Sequence, residues 1–376
     1  MNEITTVGVD LAKEVIAVCA ADHSGKTVFT RVFHRDAFAA WAVQLPPCRF
    51  GLEACGAAHH WARWLTSHGH APQLMAAEFV KPFRKSRAAK NDRNDAEAVL
   101  TAVRQPNMRF VAVKSIEQQA CLSWHRMRQG FSEERTALIN RLRGLLGEFG
   151  VWRGRSAAVF TRALPLLEHD EALPLMVRRL LTDARPHLTR LDEAIAACEV
   201  EIKSHLKNNL AAQRMIEISG VGALTAAAVL ATVTDARDFK NGRQLAAWQG
   251  LVPRQDSSGG KARLGHITKR GDTYLRGLLT QGARSALQAA LTKEPLRRTR
   301  LQSWMVQLHA RVGYHKTLVA IANKHARIIW AILAKGEDYD PDAWRRWTRT
   351  APATSGVTSK RTTTQTEPPT ICFFPR

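Results

Sequence analysis

The chain has 376 residues, enough for about two or three domains with full cores. Fifty-five Lys and Arg against 33 Asp and Glu give a net charge of +22 and a pI near 10.5, which points to a polyanion as partner. No run of about 18 apolar residues and no signal peptide is visible, which argues against a membrane or secreted protein. The six cysteines (Cys19, Cys48, Cys55, Cys121, Cys198 and Cys372) are scattered without a CxxC, so neither a zinc site nor a disulfide framework is indicated. The expected setting is a reduced, nucleic-acid-rich one, cytoplasm or nucleoid.

In chain order, residues 4–9 form a short apolar run that leads to Asp10. Residues 15–20 and 28–33 read as two more strands around a Ser24-Gly25 turn, and 36–43 as a helix. A fourth strand at 49–52 ends at Glu53, 57–67 is helical, and 73–75 is a fifth strand. Three antiparallel strands followed by alternating strand and helix predict a mixed α/β sheet, with Asp10 and Glu53 at strand ends where ligands gather.

The stretch 81–97, KPFRKSRAAKNDRNDAE, follows. Five basic residues, Lys81, Arg84, Lys85, Arg87 and Lys90, lead without an intervening acid into Asp92 and Asp95, and 96–100 reads as helix. Residues three apart on a helix share a face, roughly 5–6 Å between Cβ atoms. That allows two carboxylates to bind one hard cation, or a pair of cations about 3.5–4 Å apart. Cations to hold a phosphate backbone beside oxygens to hold a metal are what phosphodiester chemistry needs. His59, His60, His68 and His70 suggest zinc by type, but surface or partly buried histidines are the expected reading.

The fragments GVDLAK at 8–13, GLEACG at 51–56 and KNDRNDA at 90–96 resemble the RuvC-like, RNase H-type nuclease fold. The resemblance implies that Asp10, Glu53, Asp92 and Asp95 converge as an Asp-Glu-Asp-Asp set that binds Mg2+ or Mn2+.

Residues 116–149 read as nearly unbroken helix, with Leu138, Leu142, Leu145 and Phe149 on one face. Leu188, Leu191, Ile195, Cys198 and Ile202 step by three and four, a heptad seam that calls for a partner helix within the chain or across a dimer. This middle region reads as a helical, coiled-coil spacer without catalytic residues.

Residues 218–226, ISGVGALTA, resemble a helix-hairpin-helix element in which Gly220 and Gly222 turn the chain and expose N–H groups to a phosphate. Residues 251–275 then read LVPRQDSSGGKARLGHITKRGDTYL. Ser257 and Ser258 precede two glycines, and Lys261, Arg263, Lys269 and Arg270 follow. Taken alone this is a flexible loop; the cations would also suit a serine nucleophile attacking a phosphate. Beyond it, 284–291, 301–312 and 318–333 read as helices, and the Thr-, Ser- and Pro-rich end as disordered.

Taken together, the carboxylate domain, the helical spacer, ISGVG, and SSGG followed by HITKRGD resemble the insertion-sequence transposase family one-ten, in its branch eleven-eleven. The resemblance implies a recombinase guided by a bridge RNA, acting on donor and target DNA as a homo-oligomer. It also implies a 5′-phosphoserine link through Ser258, with Ser257 as the alternative. The expected domains are 1–110 (RuvC-like), 111–208 (spacer), 209–346 (mostly α, serine transposase) and a tail at 347–376. A metal-dependent, structure-selective nuclease of the Holliday-junction type is the rival enzyme, and a basic architectural protein the non-enzymatic one.

Overall fold

A computed structural model describes residues 3–84, 91–152 and 156–341. The chain divides into two compact units, residues 1–116 and 117–376.

The first unit is built on β1 (Thr6–Leu11), β2 (Val15–Ala21) and β3 (Thr27–His34), an antiparallel meander, then α1 (Arg35–Val43), β4 (Arg49–Glu53), α2 (Ala58–Ser67) and β5 (Ala71–Met75). Short α3 (Ala77–Val80), α4 (Asp92–Val103) and β6 (Phe110–Val111) complete it. The sheet order is β3-β2-β1-β4-β5-β6; β1, β4 and β5 run parallel, and β6 returns antiparallel to β5. This mixed sheet agrees with the RuvC-like architecture. Strand β6, only two residues long, has no signal in the sequence.

Alternation sorts the two faces of the sheet. Val7, Val9, Phe50 and Leu52 face α1 and α2, where Phe38, Trp61 and Leu65 close the main core. The other face carries small residues: Ala17, Cys19 and Ala21 of β2 pack on Ala96 and Leu100 of α4. Gly8 and Gly51, paired in register, also lie under α4. A Cβ on Gly8 would sit 2.4 Å from the Ala96 carbonyl oxygen, and one on Gly51 2.7 Å from the Val103 Cβ. The glycines therefore let a helix lie directly on the strands. Helix α4 begins at Asp92, four residues earlier than the sequence suggested, because the Asn91 side chain caps it by accepting from the Asn94 N–H at 3.0 Å.

In the second unit, α5 (Ile116–Gly147), α6 (Ala157–Leu167) and α7 (Leu175–Ser204) come first. Arg128 pairs with Glu199 and Arg135 with Asp192, so seven residues along α5 match seven backwards along α7. That is an antiparallel helix pair, and the heptad seam of α7 is buried within the chain at Leu188, Leu191, Cys198 and Ile202. The seam thus supplies no argument for a second copy.

Helices α8 (Leu210–Ile216), α9 (Ala223–Thr232), α10 (Gly242–Trp248), α11 (Thr273–Thr292), α12 (Arg300–Val312) and α13 (Tyr314–Lys335) enclose one core. By length and composition α13 is apolar enough to cross a membrane. It packs instead on α10, α11 and α12, with Ile321, Ala326 and Ile329 fully buried. Between α10 and α11 the expected loop is a two-stranded hairpin, β7 (Pro253–Gln255) with β8 (Leu264–Ile267).

Candidate functional site

Asp10 is the penultimate residue of β1 and Glu53 the last of β4. The register Val9 to Leu52 places the two carboxylates side by side on neighbouring parallel strands, on the face that carries Gly8 and Gly51. Helix α4 brings its first turn over them: Asp95 is buried and Asp92 stands exposed at the rim. The four carboxylates called from sequence therefore meet electrostatically. Burial first, then repulsion from Asp95, Glu53 and Asp92, pushes the Asp10 pKa up to about 6, against the pull of Arg84. Glu53 is raised too, chiefly by burial, with Arg84 opposing and Asp95 adding.

Arg84 stands apart from its basic neighbours. Read as part of a phosphate track, it turns into the acidic cleft, with Nε 3.0 Å from Asp95 Oδ1 and Nη2 3.6 Å from Glu53 Oε1. Lys81 of the same track is exposed in the short 3-10 turn after α3. Lys85, Arg87 and Lys90 lie outside the described residues. Among the described residues no three His, Cys, Asp or Glu side chains are spaced to hold a metal ion. The donor set still fits a hard divalent cation: it is all oxygen, and Glu53 Oε1 is buried without a hydrogen bond. None of the four histidines weighed for zinc belongs to this cleft; His70, for example, is buried with Nε2 3.0 Å from the Ala42 carbonyl oxygen.

The second candidate region is the β7–β8 hairpin. Gly259 and Gly260 have φ of +56° and +75°, the two positive values that a tight two-residue hairpin turn requires. Ser258 and Lys261 pair across that turn, and the Lys261 N–H donates to the Ser258 carbonyl at 3.1 Å. The Ser257 hydroxyl accepts from the Arg263 N–H at 3.2 Å and so belongs to the hairpin's own bonding. The Ser258 side chain is exposed at the tip.

Lys261 and Arg263 share this tip, whereas Lys269 and Arg270 lie past the base, where Thr268 pairs with Val252. Arg276, which the sequence reading passed over, fastens that base, donating to the carbonyls of Arg270 at 3.0 Å and Gln249 at 3.3 Å. Of the ISGVG glycines, Gly220 is explained by packing: its Cβ would lie 2.2 Å from the Gly282 carbonyl oxygen of α11. Gly222 is the N-cap of α9 and has open space around it.

Two family descriptions match the chain. The DEDD-type transposase domain of IS110 covers residues 7–150, and "Transposase IS116/IS110/IS902 family" covers residues 212–300. The chain is 43% identical to the "Probable family 20 transposase" of Pseudomonas aeruginosa, across 90% of this chain and 99% of that one. It is 42% identical to the transposase for insertion sequence element IS1111A of Coxiella burnetii, across 90% and 92% of the two lengths. With the IS1328 transposase of Yersinia enterocolitica it shares 36% identity over 89% and 98%. Matches of this extent, on a chain whose mixed sheet sets four carboxylates around one cleft, establish that the chain belongs to the IS116/IS110/IS902 family of transposases, enzymes that cut and rejoin DNA.

Proposed function

We propose that this transposase moves its element by serine-mediated strand exchange, with Ser258 as nucleophile, a divalent-metal carboxylate site and a bridge RNA as guide. The observation that carries the reading is the hairpin: a serine hydroxyl exposed at a glycine turn, beside Lys261 and Arg263, on a strongly basic chain. In the proposed step the Ser258 Oγ–P bond forms as the P–O3′ bond breaks, leaving a 5′-phosphoserine and a free 3′-hydroxyl. Asp256, the one carboxylate in residues 253–267, is positioned in sequence to take the hydroxyl proton, and the departing 3′ oxygen gains one. Attack by a different 3′-hydroxyl reverses the step and rejoins the strands. One phosphodiester replaces another, so no external energy source is required.

Glu53, Asp95, Asp10 and Asp92 are the residues that would hold the metal. A divalent cation there supplies positive charge to a phosphodiester as its negative charge grows. Mg2+ and Mn2+ both suit these hard oxygens. Guidance by RNA rests on the family resemblance and on the net charge of +22, which suits several nucleic-acid strands at once. Assembly as a homo-oligomer is part of the same proposal, because one chain offers one serine hairpin while recombination joins four DNA ends.

The test is to incubate the protein with guide RNA and labelled donor and target DNA, then to look for a covalent protein–DNA band. Ser258→Ala is expected to abolish the band while nucleic-acid binding and folding persist, and Ser257→Ala to be the milder change. A band that survives Ser258→Ala but not Ser257→Ala reassigns the nucleophile. Cleavage without any band, in the wild-type chain, overturns the serine route in favour of direct hydrolysis at the carboxylate site.

A further inference from the structure

The carboxylate cleft already contains a cation, and it is the protein's own. Glu53 and Asp95 come from β4 and α4, elements brought together only by the close seat of α4 on the sheet glycines. Arg84 reaches both of them, its side chain 32% exposed against 16% for Glu53 and 8% for Asp95. Its backbone is secured from below, where Val80 and Phe83 pack in the cluster formed with Met75, Val99 and Val103. The side chain is held less well than the backbone. Arg84 Nε is buried and within ion-pairing distance of Asp95, yet neither it nor Glu53 Oε1 completes an aligned hydrogen bond. Strong Arg–carboxylate bridges are frequently bidentate, with two parallel N–H···O bonds. Here charge is balanced while bonding is left incomplete.

We propose that Arg84 is a displaceable counter-cation: it neutralises Glu53 and Asp95 before the divalent ion arrives, competes with that ion for their oxygens, and is released as the ion binds. The inference rests on the metal-site reading above. Desolvated carboxylates in one cleft repel one another, so a cleft without any cation would strain the seat of α4. A guanidinium supplies the missing charge. It also sets a threshold, because the entering divalent ion must first break two ion pairs. The released side chain leaves a positive group at the mouth of the cleft, on the segment that leads into the basic track.

The experiment is calorimetric titration of the full-length chain with Mn2+ at pH 8, above the Asp10 pKa of about 6. Arg84→Gln is expected to bind Mn2+ about tenfold more tightly than wild type, and Arg84→Lys to fall between them. Without metal, Arg84→Gln should melt below wild type, and saturating Mn2+ should narrow that gap. Affinity that is unchanged or weaker in Arg84→Gln overturns the proposal and makes Arg84 a fixed support of the ligands. If Arg84→Gln fails to fold, the Arg84→Lys isotherm decides by the same criterion. Asp10→Asn serves as the control for the reading beneath: a wild-type chain that takes up no more Mn2+ than Asp10→Asn would remove the metal site itself. Normal wild-type uptake with no gain in the Arg84 variants removes only the counter-cation.

Discussion

The carboxylate cleft and the serine hairpin are built by opposite means. The cleft draws on β1, β4 and α4, and its parts meet only because Gly8 and Gly51 let a helix rest against the sheet. The hairpin is local: residues 253–267 contain the strands, the turn and the serine, and its tip is open to solvent. Burial gives the cleft fixed geometry at the cost of repulsion among its charges. Exposure gives the hairpin an accessible hydroxyl with little packing to hold it. Tertiary contacts govern one site and turn chemistry the other.

A methyl group should separate them most clearly. Gly8→Ala forces a Cβ to within 2.4 Å of α4 backbone, and we expect the first unit to lose about 3 kcal/mol in urea unfolding, with DNA cleavage falling alongside. Gly259→Ala meets nothing within 4 Å and carries only the penalty of its positive φ, about 1 kcal/mol confined to the hairpin. Equal losses would break the comparison.

Acid should come next, with opposite signs in the two units. Asp10 has a folded pKa of about 6 against 3.8 for a free aspartate, so the metal-free first unit gains stability as pH falls through 6. In the second unit burial lowers both His125 and His325 from 6.5 to about 4; Arg128 also depresses His125, and Asp272 opposes it. The unfolded chain takes up those protons first, so the stability of the second unit is lost as pH falls from 6.5 towards 4. Hydrogen-exchange protection factors for β1 and β4 should rise between pH 7.5 and 5 while those of α11 and α13 fall. A common direction in both units would refute the assignment.

The smallest effect belongs to the α5–α7 pair. A double-mutant cycle on Arg135 and Asp192, whose side chains are 23% and 47% exposed, should give a coupling of about 0.5 kcal/mol. The coupling should not depend on protein concentration, because the pair lies within one chain. Concentration dependence would show that the seam exchanges between copies.

Much of the first unit was legible because its strands are short apolar runs that end in acids, and the Asp-Glu-Asp-Asp order survives as local fragments. The glycine two residues before each of Asp10 and Glu53 was equally visible, as G-x-D and G-x-E, but its purpose depends on α4, which lies elsewhere in the chain. Arg84 sits among basic neighbours, so composition assigns it to solvent; only the fold reveals carboxylates within its reach. The hairpin was missed because its strands lack alternating apolar residues, although Gly-Gly is a sound signal for its turn. The heptad seam calls for a partner helix but periodicity does not identify it; in the structure its leucines are buried within the chain, and ion pairs tie α7 to α5.

The Arg276 fastening at the hairpin base has a mechanical meaning. The ribbon is a lever whose pivot lies at Val252 and Thr268 and whose far end carries Ser258. Over an arm of roughly 15–20 Å, a tilt of about 10° at the pivot carries the hydroxyl about 3 Å. That displacement equals the whole separation, about 3–3.5 Å, at which an attacking oxygen and its target become aligned. On the proposed serine route, the base that Arg276 fastens would set the aim of the hydroxyl, and a small tilt there would carry the tip into or out of reach.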